Sequence, residues 1–228
     1  MPPTAVPPWE RIAESCEYAF LRPDASQPEL EAFLRLAGTL RPYAVVVPSS
    51  LAKELRPLLK GIRLVGVVGF PHGLEALEAK IAELDYLLLC GVDEVDFVPN
   101  PFYLRSMKLH EFNRELSAFR ERASGIVLKA IVEVGTGEAE LSAAIAGISQ
   151  YGIDFLKLGT GFGPRAVTAD DVRLAKRLGA GRIKAAGGIR GLKQALELLE
   201  AGADRLGLSR LELLRSEWEA AARSSSKG

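Results

Sequence analysis

Short runs of β-branched and other apolar residues alternate along the chain with longer stretches in which apolar residues recur every three or four positions. The short runs read as buried strands and the longer stretches as helices with one apolar face. "EYAFL" (17–21) predicts a first strand and has the weakest pattern of the set. Ser26 then stands where an N-cap is wanted, ahead of helical spacing. "YAVVVP" (43–48), "IRLVGVVGF" (62–70), "DEVDFVP" (93–99), "GIVLKAIVEV" (125–134), "IDFLKLG" (153–159), "GRIKAAGG" (181–188) and "DRLGLS" (204–209) predict seven more strands. Helices are predicted between them over 49–60, 73–91, 102–122, 137–152, 168–180 and 192–203, and a last one over about 210–222. Gly91 suits the end of the helix over 73–91, and Thr168 with Asp171 forms an approximate capping box.

Strand followed by helix, repeated, argues for parallel strands joined by right-handed crossovers. Eight such units without a long linker predict an α/β protein, a closed (β/α)8 barrel forming one domain over 1–228. Residues 1–10 are expected to be a flexible N-terminal segment and 223–228 a frayed tail. The alternative is an open sheet of six or seven strands, which depends on the weak first strand.

Composition narrows the class. Apolar residues make up 48 % of the chain, enough for a large core. Twenty-nine basic residues balance twenty-nine acidic ones, so no nucleic-acid or membrane partner is expected. The N-terminus lacks the basic and apolar regions of a signal peptide, and no apolar run approaches a membrane span. Cys16 and Cys90 lack metal spacing and read as reduced thiols of a cytoplasmic protein. With only His72 and His110 as imidazoles, a histidine-rich metal site is disfavoured.

Active sites of such barrels form at the C-terminal ends of the strands. The polar residues there are Glu17, Asp96, Lys129, Glu133, Lys157, Lys184, Arg190 and Ser209, with His72 in a loop. Lys157 shares a strand face with Phe155, and Leu156 and Leu158 share the other. If the leucines meet the helices, Lys157 points into the barrel. Lys129, Lys157 and Lys184 then end neighbouring strands. A single such lysine reads equally well as an ion-pair partner of Asp96 or Glu133. Converging, partly desolvated lysines instead lower one another's pKa and yield a neutral amine able to attack a carbonyl. Glycines follow the last three strands in "GTGFG" (159–163), "AAGGIR" (185–190) and "LGLS" (206–209). Glycine loops after strands seven and eight suit a phosphate, with Arg190 and Ser209 as added donors. Ordinary tight turns are the plainer reading of any one of them.

The stretches "FLRPDAS" (20–26), "GFPHG" (69–73), "GVDEVDFVPN" (91–100), "LKAIVEVG" (128–135), "DFLKLGTGFG" (154–163), "IKAAGGIR" (183–190) and "LGLS" (206–209) together resemble the deoxyribose-phosphate aldolases, class I aldolases on a TIM barrel. They run in family order over almost the whole chain. The resemblance implies Lys157 as the Schiff-base lysine, Lys184 as the lysine that lowers its pKa, and Asp96 as the carboxylate of a proton relay. It implies Thr160, Gly161, Gly187, Gly188, Arg190, Gly207 and Ser209 around the phosphate and the substrate hydroxyls. The implied reaction cleaves 2-deoxy-D-ribose 5-phosphate to acetaldehyde and D-glyceraldehyde 3-phosphate, with no metal or organic cofactor. The partner would be a phosphorylated sugar, and an exposed barrel side would suit a homodimer. The family often has Asp-His-Thr where Glu17, Tyr18 and Ala19 stand, serine at Gly159 and a second serine at Arg210. Two alternatives stay open: the same chemistry on a different aldehyde or sugar phosphate, and a non-catalytic barrel that binds a phosphorylated metabolite.

Overall fold

The computed structural model describes residues 7–225. Eight parallel strands close in chain order into one barrel: β1 (Cys16–Ala19), β2 (Ala44–Pro48), β3 (Arg63–Val68), β4 (Glu94–Phe97), β5 (Val127–Val132), β6 (Phe155–Leu158), β7 (Arg182–Ala186) and β8 (Arg205–Leu208). The weak first strand is a full member. It pairs with β2 through Tyr18 and Val45, and with β8 through Glu17 and Gly207. Its pattern is faint because it has four residues, one of them a buried glutamate.

The helices form the outer layer: α2 (Gln27–Leu40), α3 (Ser49–Leu55), α4 (Leu77–Leu89), α5 (Pro101–Arg105), α6 (Leu109–Arg122), α7 (Glu138–Gln150), α8 (Ala169–Arg177), α9 (Leu192–Glu200) and α10 (Leu211–Ser225). The helix expected over 102–122 is two, because Met107 turns into the left-handed region at φ 51°. The helix expected to reach residue 60 ends as a short 3₁₀ turn over 56–58, where Pro57 supplies no N–H for an α-helical bond. Thr168 and Asp171 do close a capping box on α8, and Gly91 follows α4 at φ 72°.

Both chain ends differ from expectation. Trp9 and Glu10, placed in the loose N-terminal segment, instead begin α1 (Trp9–Ala13), a helix too short to show a period. Trp9 is buried and its indole donates to the Leu40 carbonyl at 3.3 Å. Trp218 donates to the Pro7 carbonyl at 2.8 Å. Residues 223–225, expected to fray, extend α10. The remainder of both segments, 1–6 and 226–228, lies outside the described residues.

Two different cores result from the strand alternation. Outward residues such as Leu156, Leu158, Ile183 and Leu206 join the helices in one large apolar core. Inside the barrel, Ala44, Val46, Val65 and Val67 of β2 and β3 form a small separate apolar cluster. Much of the rest of the barrel interior is ionic. Glu17, Glu94, Asp96, Lys129, Lys157 and Lys184 are all buried. Among the described residues, no helix is long and apolar enough to cross a membrane.

Candidate active site

Charged side chains inside a barrel persist only if each is paired. Here the pairing centres on Asp96. Its Oδ1 accepts from Lys129 Nζ at 2.9 Å. Its Oδ2 accepts from Lys157 at 2.9 Å and from Lys184 at 2.6 Å. Lys184 also donates to Glu17. Beneath this layer Lys129 meets Glu94 at 2.6 Å and Glu17 at 3.4 Å. Arg205 reaches the same two glutamates at 2.6 and 3.1 Å and donates to the Tyr43 hydroxyl. Strand register explains the convergence. Lys157 lies level with Lys184 across β6 and β7, and Asp96 lies level with Lys129 across β4 and β5.

Within this network four cations, Lys129, Lys157, Lys184 and Arg205, face three carboxylates, Glu17, Glu94 and Asp96. If all were ionised, one positive charge would be unbalanced in a buried space. Arginine does not give up its proton, so a lysine must be the one to relieve it. Lys129 has three carboxylate partners and Lys184 has two, whereas Lys157 has Asp96 alone. Burial pulls the Lys157 amine down; pairing with Asp96 pushes it up and the Lys184 charge pulls it down again, leaving its pKa at about 8. Burial also works against Lys129, but Asp96, Glu17 and Glu94 outweigh it and keep that amine protonated. Burial disfavours ionised Asp96, yet Lys129, Lys157 and Lys184 hold its carboxyl well below the usual range. Glu17 is held low in the same way by Lys129 and Lys184. The result is an ionised carboxylate beside one readily deprotonated amine, an arrangement with the chemistry that a base and a nucleophile require.

Lys157 and Lys184 open into a cavity of about 450 Å³. Gly161, Gly187, Gly188, Gly207, Arg190 and Ser209 all line it, so the structure brings these expected residues together. Gly187 has φ 94°, and a Cβ there would sit 2.8 Å from Gly161 Cα. Only glycine lets these two loops touch. Thr160 also reaches the cavity, but its hydroxyl is committed. It donates to Glu133 Oε2 at 2.5 Å and accepts from Phe162 N at 3.0 Å. Thr160 therefore braces the loop through Glu133. His72 stands apart from the lysines, in a second cavity. Cys16 is buried beside Glu17; burial first, and then that carboxylate, push its thiol up to about 12, so it stays protonated and inert.

Sequence reasoning missed Glu94, Arg205 and Tyr43. The signal was available for two of them, because Glu94 is two residues before Asp96 and Arg205 two before Gly207, each on the same strand face. Phe70 was missed as well; its ring lies 5.5 Å from Lys157 Nζ. Among the described residues, no group of three or more His, Cys, Asp or Glu side chains is arranged to hold a metal ion.

No family model matches the chain. It is 37 % identical over 201 residues to the deoxyribose-phosphate aldolase of Aquifex aeolicus, covering 87 % of this chain and 92 % of that protein. It is 37 % identical over 203 residues to a deoxyribose-phosphate aldolase of Thermus thermophilus, with the same coverage. Among solved structures, the aldolase QR15 superposes with a TM-score of 0.87 at 33 % identity, over 92 % of this chain and 96 % of that one.

Proposed function

The chain belongs to the deoxyribose-phosphate aldolase family, and from that premise we propose that it cleaves 2-deoxy-D-ribose 5-phosphate through a Schiff base on Lys157. The observation that carries the proposal is that Lys157 is the least-paired cation of a buried cluster, so that burial first, and the Lys184 charge after it, outweigh its single partner Asp96 and hold its pKa at about 8. Near neutral pH a usable fraction of that amine is unprotonated.

In the cleavage direction the amine attacks the C1 aldehyde of the open-chain sugar. The carbinolamine loses water to give a protonated imine. Lys184, within 2.6 Å of the Asp96 carboxylate, is placed to supply the proton that leaves with the hydroxyl. Asp96, directly or through a water, takes the proton of the C3 hydroxyl. The C2–C3 bond breaks, its electrons move into the iminium, and glyceraldehyde 3-phosphate departs. The enamine left on Lys157 is protonated at C2, and hydrolysis frees acetaldehyde and the amine. The iminium is the electron sink, so the proposal requires no metal or organic cofactor.

The phosphate would lie against Gly187, Gly188, Gly207 and Ser209, where glycine lets backbone N–H groups approach an anion and Arg190 adds a cation. One observation favours a second reading, the same chemistry on a different aldehyde phosphate. Ala19 and Arg210, where relatives carry threonine and serine, both line the cavity. We place the enzyme in the cytoplasm, where its two free cysteines would stay reduced. The test is acetaldehyde release from 2-deoxyribose 5-phosphate and from unphosphorylated 2-deoxyribose. A much larger kcat/KM for the phosphate ester is expected; equal values would remove the phosphate cradle from the account.

A further inference from the structure

Beside the substrate cavity lies a second one of about 290 Å³. Val98, Leu104, Phe112, Ile131 and Val132 form its apolar wall, and His72, Arg105, Glu133 and Thr136 line the rest. Ile131 is level with Lys157 across β5 and β6, so this cavity begins one strand from the proposed nucleophile. Neighbouring strands are about 4.8 Å apart. The cavity lies over the ends of β3 to β6, away from the glycine loops after β7 and β8 that would hold phosphate.

Phe162 stands between the two spaces. It lines both cavities, and its ring meets Phe70 edge-on, with centroids 5.6 Å apart. Phe70 in turn lies 5.5 Å from Lys157 Nζ. Phe162 is nevertheless 52 % exposed, so burial does not account for an aromatic ring at this point. Its backbone is fixed from below, since Phe162 N donates to Thr160 and Thr160 donates to Glu133.

We propose that this apolar side cavity is an alkyl subsite next to Lys157, and that Phe162 closes it, restricting the aldehyde that forms the enamine to a two-carbon donor. The proposal rests on Lys157 as the Schiff-base residue. A longer aldehyde such as propanal carries its extra carbon on C2 of the enamine. Val46, Phe70 and Leu208 already wall the substrate cavity, and the adjoining space for that carbon is the side cavity beside Ile131, on the other side of Phe162. With Phe162 reduced to alanine, propanal would condense on Lys157 with loss of water and lose a C2 proton to form the enamine. Its C2 would then attack the C1 carbonyl of glyceraldehyde 3-phosphate. Hydrolysis of the resulting iminium restores the water and releases a 2-methyl-2-deoxypentose 5-phosphate.

The test is competitive reductive trapping with borohydride on the full chain, using equimolar acetaldehyde and propanal, then butanal, with adducts on Lys157 counted by peptide mass spectrometry. Phe162→Ala is expected to raise the longer-to-shorter adduct ratio by about fourfold for each added methylene that enters the subsite. Adding Leu104→Phe, which fills the subsite, should return the ratio toward wild type. Phe162→Leu, a milder change at the same exposed position, should give an intermediate ratio. Adducts on Lys157 in unchanged ratio across these variants would overturn the subsite while leaving the Schiff-base reading intact. Absence of any adduct on Lys157 in the wild type would overturn both.

Discussion

Replacing Lys184 with methionine tests how the cluster tunes its neighbour. The two ammonium groups share one acceptor, Asp96 Oδ2, at 2.9 Å from Lys157 and 2.6 Å from Lys184. At an effective dielectric of about 20, two unit charges about 5 Å apart repel by ~3 kcal/mol, equivalent to about two pKa units. Removing Lys184 lifts that repulsion and leaves Oδ2 to Lys157 alone. Both changes favour the ammonium form. The Lys157 pKa should therefore climb from about 8 toward the ordinary lysine range, by up to about two units. At pH 7 the neutral fraction would fall from about a tenth to about a thousandth, so the attack step should slow by roughly 100-fold. The assay is kcat/KM, or the rate of borohydride trapping with acetaldehyde, followed from pH 6 to pH 10. In the wild type the rate should rise with pH and level off near 8. In Lys184→Met it should keep rising toward pH 10, recovering much of the loss in the trapping assay. A Lys184→Met profile that still levels off near 8 would refute the tuning argument. Burial and the Asp96 pairing would then set the Lys157 pKa without Lys184, and any loss of rate would have to come from proton transfer.

Three further outcomes follow from the same geometry. Lys157 is a base whose folded-state pKa is depressed, so its ammonium form costs stability below about pH 8, and wild-type stability should rise as pH climbs from about 8 toward 10.5. Lys157→Met should abolish turnover, raise stability at pH 7 by up to ~3 kcal/mol and flatten that rise, as read by urea unfolding at several pH values. Gly159 adopts φ 86°, and a Cβ there would press on the Ala186 carbonyl; Gly159→Ser should therefore lower stability by about 1–3 kcal/mol in thermal unfolding. Lys80 and Glu115 form a buried ion pair at 3.1 Å behind the loop after β4, where Lys80 also donates to the Val98 carbonyl at 3.0 Å. Glu115→Gln would strand the ammonium and should cost about 3–5 kcal/mol in urea unfolding.

Element type and order were legible because a parallel barrel repeats one simple alternation, and the predicted strands after the first are short, mainly apolar runs between longer helical periods. What the pattern hid was local. The break at Met107 is a single backbone dihedral, and α1 is shorter than two helical turns. Within the site, Lys157, Lys184 and Asp96 could be read because charge in an apolar run is conspicuous. The lower half of the network was hidden for the opposite reason. Glu94 and Arg205 sit at strand starts, next to loops where charge is ordinary, and only closure of the barrel turns them toward Lys129 and Glu17. The commitment of Thr160 to Glu133 depends on a contact between residues far apart in sequence, which periodicity does not reveal.

We propose Lys157 as the nucleophile because it is the one cation of the cluster with a single carboxylate partner. Borohydride reduction in the presence of acetaldehyde, followed by peptide mapping, measures this directly. One ethyl adduct is expected, on Lys157, forming faster as pH rises through about 8. An adduct on Lys184 or Lys129 instead, or none in an otherwise active enzyme, would contradict it.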